Sequence, residues 1–500
     1  MLHLRKFSPI YKMHTNKKAA ASLIVRAVLL VVWAAVCFLL FQTKFKYHFL
    51  FIEQNQLFTP TPDYLAAFFN KPAWLSCMAG EFMQQFYHFV YGGPMVLAVS
   101  AVILCICIAA ALRRVLPESA PSWLRIGGVF VIALLLSTIE ARLYVYENAR
   151  LASLYSLLGG TALWLGWNRI SSLSDGRSAL RIAIQIVGGL VMTVLCWWLF
   201  GYGMLAFLLF ELLAALLHHR VPVAALAGVL LVVCLCGWTS KHYRLEKKAA
   251  VLYPGVGKWV DVKKEIGVEQ LLAFDNEYYR GDYGKVIRMY EKANHPLTPE
   301  MSFFYSASAA RLGVLPDKLL GMKNPNLGTF IHLDSKSSLF TIEMAAELYY
   351  LLGDMTYAER AAMHANNFSP NKRNARLIKR LAEANLVSGD YAAAQKYLSL
   401  LGKSFLYRRW VEDHTPGQFS AAVQAEIDSK RPFINTTNEV RVGDNCHTII
   451  TGLLESNPDN TVALDYLLCT DILAKQKELF LKDYNRFGPS EKALYQRLVN

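Results

Sequence analysis

The first 239 residues run as long apolar stretches broken by short polar segments, whereas the remainder shows short amphipathic patterns punctuated by Gly-Asp and Pro. A helix needs ~20 apolar residues to cross a bilayer core. Seven stretches approach that length: Leu23–Phe41, Pro94–Leu112, Leu124–Ile139, Leu151–Trp167, Ile182–Phe200, Met204–Leu217 and Pro222–Trp238. The pattern predicts an all-α chain, with a polytopic transmembrane helix bundle of about seven spans leading into a soluble helical domain. The first stretch is long and is followed by no small-residue cleavage site, so it reads as a retained span and not a removable signal. Gly201-Tyr202-Gly203 suits a tight turn between antiparallel helices, and Gly188-Gly189 suits close helix packing.

Charge sharpens the division. Residues 1–239 carry eight acidic side chains against eighteen Lys and Arg, while residues 240–500 carry thirty against thirty-four. The net charge of +14 is thus concentrated beside apolar spans, which favours lipid headgroups over nucleic acid as its counterions. With the N-terminus in the cytoplasm, thirteen basic residues fall on the inner side and five on the outer. The expected layout is a basic cytoplasmic segment over 1–22, a membrane bundle over 23–239 and an extracytoplasmic domain over 240–500. That layout places the chain in a cell inner membrane, multi-pass, with a periplasmic C-terminal domain.

In the second half, GDY at Gly281, GDM at Gly353 and GDY at Gly389 are separated by 72 and 36 residues, a period of stacked helical hairpins. In AELYYLLGDMTYAERAAMHANNFSP, Tyr349 and Gly353 precede a turn, and Ala358 and Ala365 follow at helical spacing before Pro370. This stretch and RLAEANLVSGDYAAAQKYLSLL resemble tetratricopeptide repeats over Glu343–Leu401. FDNEYYRGDYGKVIRMYEKAN and ESNPDNTVALDYLL, where Asn460 caps a helix, are looser relatives of the same pattern. The resemblance implies a surface for an envelope protein or peptide partner. Lys403–Val442 interrupts the period as an irregular insertion or cap.

Candidate chemistry is sparse. Between the first two spans, PDYLAAFF and PAWLSCMAGEFMQQFYHFVYGG predict aromatic-rich helices within 42–93, lying at the outer interface with Glu53 and Glu81 near the headgroups. An acid just after the first span, with interfacial helices beside it, resembles the polytopic glycosyltransferases that use lipid-linked sugars. The resemblance assigns a catalytic role to Glu53, with Asp63 and Glu81 as companions. Here Gln54 follows the acid, so there is no adjacent carboxylate pair, and the spans are fewer than in that superfamily. The alternative is a solvated loop carboxylate. Glu140, Arg142, Glu147 and Arg150 straddle the mouth of the third and fourth spans, placed either to bind a lipid or anion or to pair with one another. Glu211 is the one acid within a span, seven residues before His218.

No P-loop, dinucleotide fingerprint, zinc-ligand set or nucleophile elbow occurs, so neither cofactor nor metal is implied. Cys446 and Cys469 can pair only if the second half is exported. Through GEFMQQFYHFVYGGPMVLA and ESNPDNTVALDYLL the whole chain resembles an uncharacterised family of bacterial multi-span membrane proteins. The expected function is an inner-membrane protein that contacts membrane lipid and displays a helical-repeat domain to an envelope partner.

Overall fold

The computed structural model describes residues 9–117, 121, 151–173, 179–217, 222–255, 262–323, 337–369, 372–434, 446–488 and 492–499, and among them every regular element is helical. The chain divides into two units: Met1–Phe49 with Pro62–Ile266, and Leu50–Thr61 with Gly267–Asn500.

In the first unit, Ile24–Lys44, Gly92–Val115 and Ile182–Phe200 are long and apolar enough to cross a membrane. They present to the exterior the side chains a water-soluble unit would bury: Val31 is 68% and Leu230, on a neighbouring helix, 69% exposed. These observations give the unit a membrane-associated character.

Seven spans were expected; among the described residues three helices meet the requirement. Gly203–Leu217 has only 15 residues, a rise of about 22 Å against a hydrocarbon core of ~30 Å. The helix Pro222–His242 is likewise apolar and has 21 residues, of which Leu226–His242 has described side chains. Ala152–Leu173 is 22 residues long, but its apolar character is diluted by Ser153, Ser156, Thr161 and Asn168, all buried. The expected span Leu124–Ile139 lies outside the described residues.

Backbone approaches hold this unit together. A Cβ on Gly160 would stand 2.0 Å from the carbonyl oxygen of Gly203, and one on Gly203 would stand 2.1 Å from that of Ser156. The helices Ala152–Leu173 and Gly203–Leu217 therefore touch through their main chains, the use to which small residues are put where no water drives helices together. Beside this contact Trp164 packs against Phe210, ring centroids 5.2 Å apart. Gly188 abuts Trp167, at 2.4 Å for a built Cβ, whereas Gly189 has open space.

The second unit is built from short helix pairs. Val262–Tyr279 turns into Tyr283–Glu291 at Gly281, Leu339–Leu352 into Met355–Phe368 at Gly353, and Ala375–Ser388 into Tyr391–Gly402 at Gly389. The three glycines have φ of +81°, +88° and +81°, a left-handed conformation that costs other residues dearly. The following Asp354 and Asp390 cap the second helices, accepting from Tyr357 N at 3.2 Å and Ala393 N at 2.8 Å. Ala358, Ala362 and Ala365 are wholly buried where the helices converge. Asn460 accepts from Ala463 N at 3.0 Å and donates to the orphan carbonyl of Leu352 at 2.9 Å, so one side chain serves two helix ends. Within Lys403–Val442 the chain forms short helices over Arg408–Asp413 and Ala421–Lys430, and residues 435–445 are outside those described. Cys469 is a free, buried thiol; the side chain of Cys446 is outside the described residues.

Gly160→Val should separate two main chains that now touch. We expect a loss of about 1–3 kcal/mol of stability, as for other overpacked interiors, read as a lowered thermal midpoint of the detergent-solubilised protein. Gly189→Ala, in open space, should leave that midpoint unchanged.

Candidate functional site

The helix Ala375–Ser388 begins at Asn374, whose Oδ1 accepts from Leu377 N at 3.1 Å, and ends at Gly389. Its apolar Leu377, Ile378 and Leu381 are buried, yet so are Arg376 and Arg380, and Lys379 is half-buried. Together with Glu383 these charged residues recur at helical spacing along one face. Burying a guanidinium is tolerable only with a carboxylate and hydrogen bonds around it.

Each has them. Arg376, 3% exposed, reaches Asp275 at 2.8 Å and lies 4.5 Å above the ring of Tyr279. Arg380 grips Glu347 through two hydrogen bonds, of 3.0 Å from Nε and 2.7 Å from Nη2. It also pairs with Glu383 at 2.7 Å and sits 3.8 Å over Tyr350. Burial alone would raise the pKa of Glu347, but Arg380 and Arg376 outweigh it and hold that carboxyl below its ordinary value. Further along, Arg311 reaches Glu426 at 2.9 Å. Lys430, 3.8 Å from Glu426 and 4.8 Å from the Tyr350 centroid, is pushed down to about 7 by burial and by Arg311, against the opposing pull of Glu426.

The structure places Glu53 in this unit. Its carboxylate is 4% exposed and accepts a hydrogen bond from the Tyr407 hydroxyl. Lys379 lies 4.3 Å over the same Tyr407 ring and 5.3 Å from that of Trp410. Burial lowers the pKa of Lys379, while Glu53 and Glu383 oppose the shift. The rest of Leu50–Thr61 is tied down beside it: Leu57 is buried with Ile378 and Leu401, Asn55 accepts from Asn374, and Thr59 accepts from Arg373 at 2.7 Å.

Asp63 and Glu81 belong to the first unit. Asp63 is exposed in the first turn of Pro62–Phe69, and half-buried Glu81 accepts from the Tyr64 hydroxyl. Glu53 therefore forms no acidic cluster with them inside either unit. Half-buried Glu211 accepts from Trp164 Nε1 at 3.0 Å. Glu140, Arg142, Glu147 and Arg150 lie outside the described residues, as does His218.

Beside the ion network a cavity of about 170 Å³ opens between Tyr350, Glu383, His414, Ala422, Val423 and Glu426. His414 stacks on Trp410 at 3.7 Å, its Nδ1 2.7 Å from the Trp410 carbonyl oxygen. Burial holds its pKa below the ordinary imidazole value, although Glu383 pulls the other way, so the ring is neutral at neutral pH. Two carboxylates thus line the space with an aromatic floor and no cation in its wall. Small-molecule sites usually enclose ~300–1,000 Å³; this one accommodates a single side chain, not a nucleotide-sized group. Sequence reasoning missed it because Tyr350 stands in the periodic segment and Glu426 in the insertion Lys403–Val442.

A chain whose described elements are all helical, with three membrane-length apolar helices among them and a second unit organised around buried ion pairs, is a membrane-associated helical protein. It belongs to a family of unknown function, DUF6057, whose pattern matches residues 21–498. No curated protein and no solved structure matches it.

The folded pKa of Lys430 lies below its unfolded value, so the unfolded chain binds the proton more tightly and stability rises with pH between about 7 and the ordinary lysine range. Below about 7 both states are protonated and the contribution is flat. The thermal midpoint should therefore climb more steeply from neutral to alkaline pH in the wild type than in Lys430→Met.

A double-mutant cycle of Glu53→Gln and Tyr407→Phe should show a coupling of about 1.5–3 kcal/mol, the range for a hydrogen bond to a charged group. Additive effects in chemical denaturation would contradict the structural role of Glu53.

Proposed function

We propose that this chain is a multi-pass inner-membrane protein whose second unit is a tetratricopeptide-like docking module on the periplasmic side. There it captures a segment of an envelope protein by one basic anchor side chain. The cavity over Tyr350 carries the reading. It has the size of one long side chain, and Glu383 and Glu426 in its wall favour a cation. Consecutive helix pairs with matching Gly-Asp turns support the module's kinship. The surplus of basic residues before and between the apolar helices supports a cytoplasmic N-terminus. An odd number of crossings then leaves the second unit outside. No observation favours the lipid-linked-sugar transferase, since the carboxylate of Glu53 is engaged by Tyr407 and almost closed to solvent.

A photo-crosslinking amino acid at Val423, in native membranes, should join the chain to one polypeptide. A lysine-bearing peptide should compete for that link, and a glutamate-bearing peptide should not. Ala422→Trp fills the cavity and should abolish the adduct without lowering the thermal midpoint. An adduct that persists in a folded Ala422→Trp protein would defeat the proposal.

A further inference from the structure

Away from the cavity, the helices Cys446–Ser456, Thr461–Leu473 and Lys477–Phe487 pack in succession, and each brings one donor residue to a common point. These are His447, Asp471 and Asp483, with one candidate donor atom from each lying within 4.8 Å of the others. Asp471 is 2% and Asp483 1% exposed, while His447 is half-buried. His447 Nε2 stands 2.6 Å from Asp483 Oδ2. Oδ2 of Asp471, by contrast, is buried and has no hydrogen-bond partner.

That arrangement is poor for a protein that uses these residues only for packing. Two carboxylates side by side in an apolar interior repel one another, and one imidazole cannot satisfy both. An orphaned buried carboxylate oxygen normally calls for a water, a proton or an ion.

We propose that His447, Asp471 and Asp483 bind one divalent transition-metal ion, Zn²⁺ or Mn²⁺. The donor set decides the class. Carboxylate oxygens suit hard cations, an imidazole nitrogen suits the borderline first-row ions, and no thiolate is offered to a soft one. Ligands of a tetrahedral zinc, at ~2.0–2.2 Å from the ion, stand roughly 3.4 Å apart. The observed separations of 2.6 to at most 4.8 Å bracket that value. Three protein ligands leave the remaining coordination positions to water, reached from the half-buried side of His447. The ion would replace the proton between His447 and Asp483 and give the orphaned oxygen its partner. It would also pin three consecutive helices at one point. The three residues are 24 and 12 positions apart in no metal-binding spacing, so sequence alone does not join them.

The test uses the full chain in detergent, stripped with a chelator and then titrated with Zn²⁺ or Mn²⁺ alone. The wild type should take up one equivalent by elemental analysis. With free ion at 100 times its dissociation constant, the unfolded fraction should fall roughly 100-fold. Asp471→Asn keeps the shape and removes the repulsion. It should therefore be no less stable than the wild type without metal, yet show neither uptake nor stabilisation. His447→Ala, on the more exposed ligand, should lose uptake in the same way. Absence of uptake by the wild type, or undiminished uptake by both variants, would overturn the site.

Discussion

A guanidinium taken out of water must keep its carboxylate, and in the second unit that requirement falls on one helix. Arg376 and Arg380 of Ala375–Ser388 hold Asp275 on Val262–Tyr279 and Glu347 on Leu339–Leu352. A slip of one turn between these helices would strand a buried charge, which costs about 3–5 kcal/mol. Apolar packing alone is more forgiving, since alanines and leucines repack with small loss. The ion pairs therefore set which residues face which. Tyr279 and Tyr350 roof the two arginines, and the cavity floor is one of those roofs.

The cavity inherits its character from this network. Glu383 and Glu426 are held in place by Arg380 and Arg311, which lie outside its wall. Neutral His414 adds no charge. Each carboxylate in the wall is thus paired with a cation outside it, in a neighbourhood that is close to neutral as a whole. In the proposed docking role, the charge of one guest side chain would count for more than long-range attraction.

How much of this could be read from the chain depended on whether the information was local. Apolar length reveals Ile24–Lys44, Gly92–Val115 and Ile182–Phe200, because crossing a bilayer is a property of one continuous stretch. The turns at Gly281, Gly353 and Gly389 were legible for a similar reason, since only glycine takes that backbone without cost. Gly203–Leu217 reads as a span because hydropathy reports composition, although its 15 residues fall short of a crossing. Nothing local points from Glu53 to Tyr407, or from Arg376 to Asp275. One faint signal does exist: Glu343 and Glu347 stand four apart in one helix, Arg376 and Arg380 four apart in the helix 33 residues on, complementary charges spaced almost by the repeat.

The second unit is discontinuous: Leu50–Thr61 is part of it, yet the chain lays down Pro62–Ile266 before the rest arrives. During synthesis Glu53, Asn55 and Thr59 are made long before Tyr407, Asn374 and Arg373 exist to receive them. The first strip waits for its partners while Pro62–Ile266 and the first part of the second unit are made. Final assembly is then a late closure in which the newest residues collect some of the oldest, and a nascent chain stalled before Tyr407 holds an exposed, sticky segment with nowhere to dock.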